Sequence, residues 1–545
     1  MGTYAGEFKS KSIDNPCTVC QHPTGRYIGK VVFVTMPLRR SLLLPLAAAL
    51  ASTMTACSFE PPLRVPETPA KVPFTAHPAP GKTAAGAGTN GTAQEMAYGK
   101  DLDQQWWTLF HSHTLDAVIR QALKNSPTIA QAQAQLRQAE ATARVNASIF
   151  YPQVTGNLGA NRSKQSSAAF GGNKGGFQYT LFTGSVGVTY YPDIFGVNRL
   201  VYRGSEAQVA YQRYELEAAR LTLTGNIVNT AIGEAAVQAQ IAATHAIVEH
   251  EQTLLNLTEN QYRAGAVPYL NVVNQRAQLA TQMATLPQLE QQLAVYRHEM
   301  AILVGSFPGQ WQEKPFTLEE LRLPTRIPVS LPSEVVKQRP DIQAALNQLK
   351  VANAQIGVAR AQFYPTVALT ASFGDTASTA GMFFNPVSSV WSLVGALSQP
   401  LFQGGKLEAQ KAEAYAAYDA SFNAYRNTVL TAFQQVADAL RALEHDAQTL
   451  SAQQESLHAA REALTLAQSS YRAGATDYLT LLTAEVQYNT AKIAEIKAEA
   501  QRYQDTASLL VALGGGWWNT PAADHAAAGQ NTAPRETAPD HGSRS

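Results

Sequence analysis

The 545 residues carry 42 Lys and Arg against 41 Asp and Glu, a formal net charge of +1. That balance leaves no electrostatic footprint for nucleic acid, which is excluded as an expected partner. Charged residues are only 15% of the chain, below the roughly 25% of soluble globular domains, a composition suited to weakly charged surfaces and to helices packed on helices.

All three cysteines, Cys17, Cys20 and Cys57, fall in the first 57 residues, so the body has no disulfide framework. Cys17 and Cys20, even with His22, lack the further ligands that a zinc site needs. Residues 1–35 read as an upstream extension, with Met1 and Met36 both open as the true start. From Met36, Arg39 and Arg40 form a positive region, Leu42 to Ala51 an apolar run, and Thr55-Ala56 the small residues before Cys57. This is the pattern of a signal peptide over 36–56. A cysteine placed there resembles a lipoprotein processing box, which implies that Cys57 is the acylated first residue of the mature chain. Several acyl chains make such an anchor lasting, at about 0.8 kcal/mol per buried CH₂. Ser58 stands where an aspartate would resemble an inner-membrane retention signal, and this implies the outer membrane. Residues 57–99, rich in Pro, Ala and Gly, read as a lipidated tether.

The body is duplicated, its second half repeating the first after about 209 to 213 residues. The first repeat spans 100–304, an equatorial linker with five prolines spans 305–332, the second repeat spans 333–516, and 517–545 reads as a disordered tail. Ser126-Pro127 and Arg339-Pro340 begin matching helices, with Ile129, Ala132 and Leu136 answered by Ile342, Ala345 and Leu349. Each helix runs into Phe-Tyr-Pro, at Tyr151-Pro152 and Tyr364-Pro365, where proline stops helical bonding and extends the residue before it. Strand pairs follow at about 152–162 with 178–191, and 365–374 with 388–399, the first pair joined by the glycine-rich stretch 171–176. In the last strand Trp391, Leu393 and Leu397 alternate with Ser392, Val394 and Ser398, the period of two expected between lipid and a wet lumen. No later stretch reaches the about 18 apolar residues of a spanning helix, so any spanning part is β. Four strands cannot close a barrel, and open edges in hydrocarbon leave backbone groups unsatisfied. If these strands span a membrane, several chains share one barrel.

The chain then turns at Asp193, Phe195 and Gly196, and at Pro400, Phe402 and Gly404, into helices over about 200–260 and 406–470. Each would be on the order of 90 Å long at 1.5 Å per residue. Phe422, Tyr425, Val429, Phe433 and Val436 recur at steps of three and four, the seam of a helix packed against partners. Both long helices end at the same reversal, Tyr262-Arg263-Ala264-Gly265 and Tyr471-Arg472-Ala473-Gly474. Glycine permits the left-handed backbone that stops a helix. Return helices over about 268–304 and 476–513 are shorter, so the helices starting near 115 and 333 are expected to stack on their ends.

These motifs, in this order and in duplicate, resemble the TolC-like outer-membrane factor family of tripartite efflux systems, in the NodT-like lipoprotein branch that includes OprM-type channels. Trp106-Trp107, Phe110 and Leu513-Gly514-Gly515-Gly516-Trp517 agree with it, and the match covers about 100–516. The resemblance implies a mixed α/β membrane protein: a homotrimeric 12-stranded outer-membrane β-barrel, four strands per chain, continued by a long periplasmic α-helical barrel. It further implies a passive duct without cofactor or metal, served by a periplasmic adaptor (membrane fusion protein) and an inner-membrane RND-type transporter, and bathed in outer-membrane lipid. By the same resemblance Tyr262, Arg263, Gly265, Tyr471, Arg472 and Gly474 are adaptor-docking positions. Relatives narrow the closed tip with aspartates, but Thr483 occupies that position here. Asp477, Tyr478, Thr480, Thr483 and Glu485 are the aperture candidates, and the tip opens when the adaptor engages. The competing readings are an enzyme, for which no GxSxG, HExxH or phosphate loop appears, and a lipid-anchored coiled-coil structural or adhesion protein of the outer membrane.

Overall fold

The computed structural model describes residues 59–519, apart from 67–72, 78–79, 89–90, 173–174 and 313. Cys57, the signal peptide, the extension before it and residues 520–545 lie outside the described residues.

Two helix-strand-helix units repeat along the chain. In the first, α1 (His113–Asn125) and α2 (Pro127–Ala147) lead to β2 (Gln153–Ser166) and β3 (Gly176–Tyr190), then to α3 (Val197–Arg263) and the return helix α4 (Tyr269–Val304). In the second, α5 (Pro332–Gln338) and α6 (Pro340–Ala361) lead to β5 (Thr366–Ala377) and β6 (Ser389–Ser398), then to α7 (Lys406–Arg472) and α8 (Tyr478–Ala512). The two long helices have 67 residues each, roughly 100 Å of rise. A short parallel ribbon of β1 (Glu95–Tyr98) and β4 (Arg326–Val329) ties residues before the first repeat to the segment between repeats.

Prolines and glycines set the breaks. Ser126 and Arg339 are extended, with Pro127 and Pro340 in the first helical position, where a missing N–H costs nothing. The helices from His113 and Pro332 therefore end there, and new ones begin at the Ser126-Pro127 and Arg339-Pro340 starts read from the sequence. The helices that stack on the return helices are α2 and α6. Arg339 Nη1 donates to the Ala512 carbonyl at 2.7 Å, and a Cβ on Gly305 would lie 2.6 Å from the Asn125 carbonyl. Gly196 and Gly405 start the long helices at φ 77° and 85°. At the first of these starts, Asp193 accepts hydrogen bonds from the Asn198 and Arg199 amides at 3.0 and 2.9 Å.

The core sits at the equator, where helix ends, ribbon and linker meet. Trp106, Phe110, Met300, Phe316, Leu321 and Tyr503 are fully buried in it. Trp517 Nε1 donates to the Gln338 carbonyl and Asn519 Nδ2 to the Leu102 carbonyl, each at 2.7 Å. The body therefore reaches Asn519, past the boundary at 517 drawn from composition.

Candidate docking tips, aperture and membrane sheet

The strands form one antiparallel sheet in the order β2-β3-β5-β6 without a register break. Because side chains alternate, register sorts them into two faces. One face aligns Val186 with Phe373 and Trp391, then Val188 with Ala371 and Leu393, with Val154, Leu158 and Phe182 beside them. The other carries Thr155, Asn157, Ser185, Thr189, Thr370, Ser372 and Ser392, and the Ser372 and Ser392 hydroxyls bond across the strands at 2.8 Å. Every residue of β6 is exposed, and β2 and β6 are edges within the chain. Ten residues is the length a tilted strand needs to cross a bilayer, about 9–11.

Below the sheet lies an aromatic collar built by the strand-helix turns. Tyr364 stands between Phe59 and Phe195, at ring-centroid distances of 4.4 and 5.5 Å. Tyr151 and Phe402 project outward, and Pro152, Pro365, Gly196 and Gly404 shape the bends. The extended segment from Phe59 descends the body from this collar. Glu60 pairs with Arg203 at 3.0 Å, the Tyr418 hydroxyl donates to the Arg64 carbonyl at 2.9 Å, and Gln454 bonds both to and from Ala87. Farther along the strap, the fully buried Arg502 donates to Gln94 and to the Thr92 carbonyl. Opposite the face that Glu60 touches, at 100° per residue, a groove between α2, α3 and α6 is lined by Gln135, Gln138, Asn146, Gln208, Gln212 and Gln355. It is an amide wall without charge.

At the far end, both hairpins close the same way. The Tyr262 carbonyl accepts from the Gly265 amide at 2.8 Å and the Tyr471 carbonyl from the Gly474 amide at 3.0 Å. Gly265 and Gly474 have φ 75° and 72°, with nothing within 4 Å of an added Cβ. Backbone conformation alone demands glycine there, and the space around the tips is open. Arg263 is exposed and shares Glu259 with Arg276, at 3.5 and 3.0 Å. Tyr262 and Tyr269 lie 5.3 Å apart on the surface beside exposed Leu270. Arg472 is exposed on the second tip, and Tyr471 ties the tips together by donating to Gln261 Oε1 at 3.0 Å.

The aperture candidates divide. Thr480 and Thr483 are exposed. Asp477 caps α8, accepting from the Thr480 amide at 2.9 Å and its hydroxyl at 2.6 Å. The Thr480 hydroxyl and amide hold the Asp477 carboxyl below its usual range. Tyr478 and Glu485 are 6% and 1% exposed, turned into the protomer by the packing of α8 on α3 and α7. Tyr478 donates to Gln275 Oε1 at 2.5 Å.

Behind the tip this exposes a buried polar cluster that sequence reasoning missed. Glu251 on α3 accepts from Gln275 of α4 and, at 3.2 Å, from Asn489 of α8. Both carboxyl oxygens of Glu485 lack a hydrogen-bond partner. Burial first, and then the Glu251 charge, push Glu485 up to about 8. Burial and Arg472 push His250 down. The 4.0 Å approach of His250 to Glu485 is therefore a contact of two neutral groups. Among the described residues no group of three or more His, Cys, Asp or Glu is placed to hold a metal.

A sheet with two open edges, one apolar face and one polar face, set above paired hairpins of this length, defines the subunit of an outer-membrane channel. The outer membrane efflux protein signature matches residues 118–306 and 331–515, one stretch in each repeat. The pyoverdine export outer membrane protein OpmQ of Pseudomonas putida is 31% identical over 419 residues, 76% of this chain and 88% of its own. The cation efflux system protein CusC of Escherichia coli O157:H7 is 26% identical over 477 residues, 87% and 98% of the two chains. The solved outer-membrane channel OprN superposes with a TM-score of 0.77 at 26% identity, covering 85% of this chain and 100% of that one. This chain belongs to the outer membrane efflux protein family. Its fold class is the trimeric channel, in which three copies supply twelve strands to one barrel and their helices to a second barrel beneath it. It is an outer-membrane exit duct for efflux, and the adhesion reading is set aside.

Proposed function

We propose that the trimer is the passive exit duct of a tripartite pump, receiving small molecules or ions through a periplasmic adaptor from an inner-membrane transporter of RND type. It is a conduit rather than an enzyme. The observation that carries the reading is the pair of open tips, each presenting an arginine beside a glycine reversal on a hairpin that nothing among the described residues covers. Tyr262, Arg263, Gly265, Tyr471, Arg472 and Gly474 form the adaptor's docking surface, with exposed Tyr269 and Leu270 as apolar contacts. Thr480 and Thr483 line the aperture as neutral hydroxyls, and adaptor engagement opens it. The uncharged amide groove higher in the duct fits a passage that does not select its cargo by charge.

Replacing Arg263 and Arg472 together with glutamate is expected to cut export about tenfold, the equivalent of about 1.4 kcal/mol, at unchanged trimer abundance in the outer membrane. Undiminished export would reduce both arginines to helix-end residues.

Cys57 is the lipid anchor in this proposal. Radiolabelled palmitate is expected on the wild-type protein and not on Cys57→Ala; an unlabelled wild type overturns the anchor.

A further inference from the structure

The hairpin loop joining β5 to β6, residues 378–388, does not extend outward from the strand ends. It folds back over the apolar face of the sheet, at the end away from the aromatic collar. Phe383 fills the place that Gly184 leaves vacant: a Cβ on Gly184 would lie 2.3 Å from Phe383 Cζ and 3.0 Å from Leu158 Cδ2. Register puts Gly184 beside Asp375, at the rim of the face that carries Leu158, Val186, Phe373 and Trp391, so Phe383 lies on that face too. The loop is closed by its own bonds. Asn385 Oδ1 accepts from the Val387 amide at 3.1 Å, and Ser388 Oγ donates to the Met382 carbonyl at 2.7 Å. This fixes Phe384, edge-on to Phe383 with centroids 5.1 Å apart, and Val387 outward, where they are 89% and 81% exposed. The eleven residues from Ser378 to Ser388 contain no charge.

An exposed apolar cluster held in place by a docked aromatic, and continuous with a lipid-facing surface, is matched in chemistry by hydrocarbon. We propose that the β5-β6 loop is a membrane anchor on the outer side of the barrel, with Phe384 and Val387 inserted among lipid acyl chains of the outer leaflet. The inference rests on the reading of the apolar face as lipid-facing and extends it from the strands to a loop. Three such loops around the trimer would fix the depth of the barrel. Gly184 is then a seating residue, required because any side chain there displaces Phe383.

The experiment places the photoreactive p-benzoylphenylalanine at position 384 of the full chain and irradiates intact outer membranes. Position 391, in the middle of the apolar face, serves as reference, and position 392 represents the opposite face. Lipid adducts at 384 comparable to those at 391, and absent at 392, are expected. A cross-link from 384 to a second copy of the chain would overturn the anchor and make the loop a subunit seam. Adducts at 391 without adducts at 384 would overturn it in favour of a loop in water, whereas no lipid adduct at 391 would sink the underlying reading of the sheet. Adding Gly184→Ala is expected to lower the adduct yield at 384 while leaving that at 391 unchanged; an equal yield at 384 would overturn the seating role.

Discussion

Leu393→Arg is expected to abolish the trimer in the outer membrane, while Ser392→Arg, one residue away, leaves it assembled. The two positions sit at the middle of β6, a strand exposed along its whole length in the protomer. Leu393 lies in the row of Val188 and Ala371 on the apolar face, and Ser392 bonds to Ser372 on the polar face. An arginine at the bilayer midplane of a barrel costs about 2–4 kcal/mol on the lipid side. Threefold symmetry repeats it at one depth, so the penalty per trimer is roughly 6–12 kcal/mol, comparable to the whole stability of an ordinary domain. At position 392 the guanidinium enters water, and its expected effect is a shift of the single-channel current toward anions. The check is heat-resistant trimer on gels of outer membranes, followed by reversal potentials for whatever assembles. Equal trimer yields from both variants would contradict the assignment of the faces, and a selective loss at 392 would invert it.

Those faces were legible before any coordinates because a strand's alternation is a local property: Trp391, Leu393 and Leu397 announce it without knowledge of what they touch. The same holds for the reversals at Gly265 and Gly474 and for the breaks at Pro127 and Pro340, where one residue's backbone decides the outcome. What stayed hidden was built from partners distant in the chain. In the sequence Glu485 stands as an aperture candidate, because nothing local shows which side of α8 meets α3. Its surroundings, His250, Glu251, Gln275 and Asn489, come from three helices and are assembled only by the fold. The burial of Tyr478 is hidden for the same reason. The ribbon of Glu95–Tyr98 with Arg326–Val329 joins segments about 230 residues apart, each too short for periodicity to reveal. The fold of residues 378–388 back onto Gly184 likewise depends on a vacancy in another strand.

The buried cluster is expected to make the tip sensitive to pH, and Glu485→Gln to remove most of that sensitivity. Glu485 is 1% exposed, without a hydrogen-bond partner on either oxygen, and its pKa is raised from 4.5 to about 8. The packed tip therefore binds a proton that the separated tip releases. For a carboxyl raised in this way, the stability is complete below the ordinary value near 4.5 and is lost progressively as pH climbs to about 8. At full ionisation the shift corresponds to on the order of 5 kcal/mol at this fully buried site. The neighbours do not reverse the sign. Glu251 is itself raised by burial, His250 is held neutral by burial and by Arg472, and Tyr471 and Tyr478 stay protonated across this range. Alkaline conditions should thus loosen the packing of α8 on α3 just behind the docking surface, easing the separation that an open aperture requires. Glutamine keeps the shape and cannot ionise, so the variant's tip should be as tight at pH 8 as at pH 5. Hydrogen exchange over residues 478–490, corrected for intrinsic rates, reads this directly: protection in the wild type should fall with rising pH and stay level in the variant. Parallel profiles would show that Glu485 does not carry the proton. A wild-type tip that tightens on alkalinisation would place the raised carboxyl in the open arrangement instead.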